Sequence, residues 1–180
     1  MNLPNKLIVV ADHDTEIALE VGNIFVKKGS VYNLWHAEYG FLEELRYPIE
    51  FVMDWLRDGY LTELAVHLRT ELLAQAAVMR RYQKEYFRFK KQEVIKVCRR
   101  EEQRLDQLLA NPDLNTEDPA VSLIEDLREA QRQYFRNRGH LQLADCRFLE
   151  KEIDALLGNQ VKLPATGFDK KTPTLQKELF

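Results

Sequence analysis

The chain is short of residues that break or cross-link a fold: 180 residues include seven glycines, six prolines and two cysteines. So few glycines and prolines leave little material for the frequent tight turns of an all-β sandwich. Cys98 and Cys146 form no C-x-x-C pair and are too few for a disulfide framework, which suits a reducing compartment. Long apolar runs are missing too. The run Leu7 to Ala11 is too brief for a membrane span or a signal h-region, and acidic residues follow at once. A cytoplasmic, non-membrane protein is expected. A surplus of one charge is also absent: 26 Lys and Arg stand against 29 Asp and Glu, a formal net charge of -3. Any affinity for a polyanion must therefore come from a local patch.

What is present favours helices. Hydrophobic residues make up 45% and charged residues 31% of the chain, a balance suited to one helical globular unit. Setting Tyr86-Phe87-Arg88 over Tyr134-Phe135-Arg136 aligns Arg80 to Asn111 with Arg128 to Asn159 without a gap. Twelve of the 32 aligned positions are identical, and the chain's two cysteines fall on each other. The segment is a tandem repeat. In the second copy Ile124, Leu127, Gln131 and Tyr134 precede a break marked by Gly139, and Leu143, Cys146, Ile153 and Leu157 follow it, all near helical spacing. Asp118-Pro119 opens this copy as N-cap and N1, and Gly158-Asn159 closes it.

Each copy therefore reads as an antiparallel α-hairpin. Residues equidistant from the turn should meet, which places Gln83 by Cys98 or Arg99, Arg80 by Glu102 and, in the second copy, Arg128 by Glu150. These four charged residues are expected to be structural ion pairs.

The expected fold is all-α. A duplicated hairpin over residues 61–158 makes a four-helix bundle, with an aromatic-rich helical region (1–60) packed on it and an extended tail (159–180). Leu61 to Phe89 reads as one long helix, free of glycine and proline. Pro48 can open a shorter helix ending near Gly59, Ser30 can cap another through Leu45, and Thr15 to Lys28 reads as a further one. "IFVKKGSVYN" would also serve as a β-hairpin with Lys-Gly at its turn. The aromatics of residues 24–60 are expected chiefly in the core.

Several constellations bear on function. "KLIVVADHDTE" resembles the first strand and acidic loop of a response-regulator receiver, but no later strands suit that fold. Asp12, His13 and Asp14 are adjacent, so their side chains diverge. Glu63, His67 and Glu71 line one helix face, which is expected to be solvated. Glu102, Asp106, Glu150 and Asp154 could gather four carboxylates as magnesium-dependent all-α nucleotide pyrophosphatases do, although those enzymes' carboxylate spacing is missing and arginine partners are expected instead. This metal-dependent hydrolase reading is one alternative; no metal or cofactor is expected. Cys98 and Cys146 sit on inward stripes, where a thiol behaves as a small hydrophobe.

Basic residues crowd the two hairpin turns. In an up-down-up-down bundle Arg88, Lys90, Lys91, Arg136, Arg138 and His140 would share one end, a possible surface for nucleic-acid phosphates. The final residues, "QKELF", resemble the bacterial sliding-clamp-binding peptide: Gln176, Leu179 and Phe180 match its anchors, while Lys177 departs from its usual Leu and Glu178 from its Asp or Ser. That resemblance implies a clamp as partner. The pattern YFR…C-R-x-x-E-x-x-x-D-x-L-L resembles uncharacterised small helical-hairpin proteins of bacteria and phages, which supports the hairpin and implies no chemistry. A non-enzymatic interaction or adaptor protein is the leading expectation, with nucleic acid as alternative ligand. An exposed bundle face would also permit a homo-oligomer.

Overall fold

The computed structural model describes residues 3–11, 20–36 and 40–158, with backbone alone at 41–44. Its first third overturns the all-α expectation. β1 (Lys6–Val9), β2 (Ile24–Lys28), β3 (Val31–His36), β4 (Gly40–Pro48) and β5 (Leu61–Glu63) form an antiparallel sheet of order β4-β3-β2-β1-β5. The aromatic-rich region is thus an α/β unit, not helices capping a bundle. Over their described residues the predicted helices Thr15 to Lys28 and Ser30 to Leu45 give way to strands for a physical reason. Tyr32, Leu34 and His36 are buried while Val31, Asn33 and Trp35 are not, a period of two that only a strand places on one face. The Lys-Gly alternative is what forms: Lys28 pairs with Val31, and Gly29, at φ +66°, takes the turn position where a two-residue hairpin calls for glycine.

α1 (Ile49–Arg57) follows β4 with Pro48 as its N-cap, so the helix starts one residue after the proline expected to open it, and the chain leaves it through Gly59 at φ +86°. It covers one face of the sheet. Leu7, Val9, Phe25, Tyr32, Leu34, Val52 and Leu61 are buried between them, and Phe25, Tyr47 and Trp55 form a ring cluster with centroids 5.4–5.8 Å apart. The opposite face presents Ile8 and Ile24 to the helices.

α2 (Leu64–Phe89) starts on the residue after β5, so the long helix predicted from Leu61 yields its first three residues to the sheet. α3 (Gln92–Leu109), α4 (Pro119–Asn137) and α5 (His140–Gly158) complete two hairpins. Asp118 caps α4 as predicted, its side chain accepting from the Ala120 amide, with Pro119 at N1. Leu68, Leu72, Met79, Leu105, Ile124, Leu127, Ile153 and Leu157 supply the shared core. Among the described residues no helix is long and apolar enough to cross a membrane.

Candidate functional site

The residues retained between the two repeats meet at the hairpin interface, in a pattern that crosses from one repeat to the other. Arg80, its side chain 6% exposed, donates through Nε and Nη2 to the two oxygens of Asp154, each at 3.1 Å, and its Nη1 lies 3.0 Å from Glu150 Oε1. Arg128, equally buried, grips Asp106 the same way at 2.8 and 3.0 Å, with Glu102 at 3.8 Å. Each guanidinium also donates to the glutamine three residues on, Arg80 to Gln83 at 2.7 Å and Arg128 to Gln131 at 2.6 Å. Between the two repeats Gln83 and Gln131 exchange reciprocal bonds of 3.4 and 3.3 Å. The four predicted ion-pairing residues all take part, but their partners are exchanged. Arg80 takes Glu150 instead of Glu102, and Arg128 takes Glu102 instead of Glu150. Within the first hairpin Gln83 donates to Glu102 at 2.8 Å, about one helical turn beyond the Cys98 or Arg99 expected to face it.

Burial alone would raise the carboxyl of Asp154, but the hydrogen bonds from Arg80 and Lys84 outweigh it and hold it below the usual range. Burial pushes the Cys98 thiol up to about 12, with the Glu102 carboxylate adding to the effect, and raises Cys146 as well. Both shifts disfavour the thiolate, which is the nucleophilic form. The carboxylates a hydrolase would need for metal are drawn onto guanidiniums, and no group of three or more ligating side chains occurs among the described residues.

The same exchange fixes where the turns lie. Arg80 and Arg128 each stand ten residues before their turns, and each reaches carboxylates at a matching depth in the other hairpin. The hairpins must therefore stand side by side with both turns at one end.

That end is basic and aromatic. Lys90 (φ 55°) and Arg138 (φ 49°), equivalent in the repeat, are the non-glycine residues with positive φ among those described. In each copy their amide closes the preceding helix by donating to the tyrosine carbonyl, Lys90 to Tyr86 and Arg138 to Tyr134. Phe87 is 60% and Phe135 66% exposed, each tilted against its neighbouring tyrosine at 5.7 and 5.6 Å. Lys90 Nζ stands 4.6 Å from the Phe87 ring centre and 5.2 Å from that of Tyr86. Arg88, Lys91, Arg136 and His140 are exposed beside them, and no carboxylate occurs between Tyr86 and Gln92 or between Tyr134 and Ala144. From Arg88 a groove of about 380 Å³ runs between α2 and the end of α5, passing Arg81, Lys84 and Glu85 to Arg80 and Asp154.

The six basic residues expected at the turns thus share one end. What the sequence reading missed is the pair of exposed phenylalanines, although the repeated Tyr-Phe-Arg carried the signal. Of the three residues expected on one helix face, Glu63 ends β5 and is exposed, while on α2 His67 is half-buried and Glu71 exposed. His36 is buried with Nε2 3.0 Å from Glu20 Oε2. Gln176, Leu179 and Phe180, like Asp12, His13 and Asp14, lie outside the described residues. No protein-family model matches the chain, and no curated protein or solved structure is significantly similar to it.

Proposed function

We propose that the protein is a non-enzymatic binding module whose two hairpin turns form one contact surface for single-stranded nucleic acid. The observation that carries this reading is the repeated turn itself, in which a cation occupies a left-handed position beside an exposed phenylalanine in both copies. A left-handed backbone costs a residue with a side chain about 1 kcal/mol or more, and glycine would avoid it. Strain kept at two equivalent surface positions points to a use for the side chains. Cations neutralise phosphates, and exposed rings offer a face to unpaired bases, which duplex nucleic acid keeps stacked.

Fluorescence anisotropy with a labelled oligonucleotide tests the proposal. Binding to the single strand should exceed binding to the duplex. Affinity should fall with salt, and neutralising Lys90, Lys91, Arg136 and Arg138 together should reduce the log–log salt slope by up to about 3, at roughly 0.7 per lost phosphate contact. Phe87→Ala with Phe135→Ala should weaken binding at every salt concentration. Affinity that survives the four neutralisations sinks the proposal.

A further inference from the structure

The two repeats differ most on one face. α3 and α5 occupy equivalent places, and nearly the same positions are exposed on both. On α3 those positions carry Glu93, Lys96, Arg100 and Gln107, whereas on α5 they carry Leu141, Ala144, Phe148 and Ala155. Leu141 is 77% and Phe148 63% exposed. The first repeat is an internal control: the fold tolerates a charged or polar side chain at each place, so the apolar side chains of α5 do not serve the bundle. Part of the change has a local cause, since Arg100 bonds the buried Glu101 and Leu149 replaces that glutamate in the second repeat. Losing that partner explains the loss of an arginine but not the gain of an exposed phenylalanine.

The stripe is spaced for another helix. Leu141, Phe148 and Ala155 recur every seven residues with Ala144 and Lys151 between them, the seam of a two-stranded coiled coil. Its flanks are charged and exposed: His140 and Arg147 on one side, Asp145 and Glu152 on the other. If two such helices pack in parallel, each flanking residue meets the opposite flank of its neighbour five residues on. Arg147 then faces Glu152 of the second copy and His140 faces Asp145. If they pack antiparallel, like flanks meet, setting Asp145 against Glu152 and Arg147 against Arg147. The charges select the first arrangement.

We propose that α5 is a homodimerisation surface on which a second copy of this chain packs in parallel. The stripe spans about four helical turns with two large apolar side chains per copy, so the dimer is weak and dissociates in about the micromolar range. Parallel packing sets the turns of both copies at the same end.

Sedimentation equilibrium of the full-length chain, from about 1 to 200 µM, tests this. The weight-average mass should climb from 21.2 kDa towards twice that value. The double substitution Leu141→Glu with Phe148→Arg, which installs the first repeat's residues, should stay at the lower mass with an unchanged circular dichroism spectrum and melting temperature. Arg147→Glu should raise the dissociation constant severalfold, and adding Glu152→Arg should restore it. A wild-type chain that remains at the lower mass throughout, or a Leu141→Glu/Phe148→Arg chain that associates equally well, overturns the surface. Association indifferent to the charge reversals overturns the parallel arrangement.

Discussion

Lys90 and Arg138 hold a backbone shape that glycine would hold at lower cost. Replacing either by glycine should raise stability by about 0.5–1 kcal/mol, read as a higher urea midpoint, while weakening oligonucleotide binding. Loss of stability would mean that the cation over the Phe87 and Tyr86 rings outweighs the strain, and the functional argument from strain would fail. The sequence reading placed the break at Gly139, one residue late. Gly139 does not use its freedom: its φ is not positive, its counterpart in the first repeat is Lys91, and an added Cβ would stand 2.0 Å from the end of the Gln142 side chain. What the two breaks share is a cation in the left-handed position. No single-residue propensity marks that, and only comparing the copies reveals it.

At the scale of elements, the crossed ion pairs decide how the hairpins adhere. Arg128→Met would take the buried cation from Asp106 and Glu102, leaving them Arg132 and Gln83 as partners, at a cost of about 2–3 kcal/mol. That is the low end for a broken buried pair, because these carboxylates are 35% and 20% exposed and water partly screens them. A double-mutant cycle should couple Arg128 to Asp106 by more than about 0.5 kcal/mol and leave Arg128 and Asp154 nearly additive. The opposite result would restore pairing within each hairpin. Counting residues from a turn finds the height of a side chain along the bundle but not the direction in which it points. Gln83 therefore met α3 at Glu102, about one turn from the Cys98 or Arg99 expected, while both arginines went to the other repeat. The strands were hidden differently. Between Ile24 and Tyr47 apolar and polar residues are dense enough to satisfy either period over short windows, and the alternation at Tyr32, Leu34 and His36 decides the matter once β2 and β4 pair on either side.

For the molecule as a whole, sheet and bundle are joined without a hinge, because β5 ends at Glu63 and α2 begins at Leu64. Loosening the bundle should therefore loosen everything in one transition. Acid is the means to test it. Burial would raise the carboxyls of Asp154, Asp118 and Glu101, yet in each the bonds received dominate. They come from Arg80 and Lys84, from the Ala120 amide and Arg69, and from Gln75, Arg100 and Arg104 respectively, and all three carboxyls are lowered. A group depressed in the folded state contributes stability above its unfolded pKa and loses it as pH falls through the folded one. The urea midpoint should therefore be flat above about pH 5 and decline below about pH 4. A midpoint that rises on acidification would contradict the assignment.

The exchange of partners between repeats also bears on how this chain can change over time. A duplicated segment normally lets one copy wander while the other keeps the original role. Here each copy's arginine is neutralised by its sister, Arg80 and Asp154 standing 74 positions apart in the chain. A charge lost at either end leaves its partner uncompensated in the other half, so the two halves are constrained to vary together.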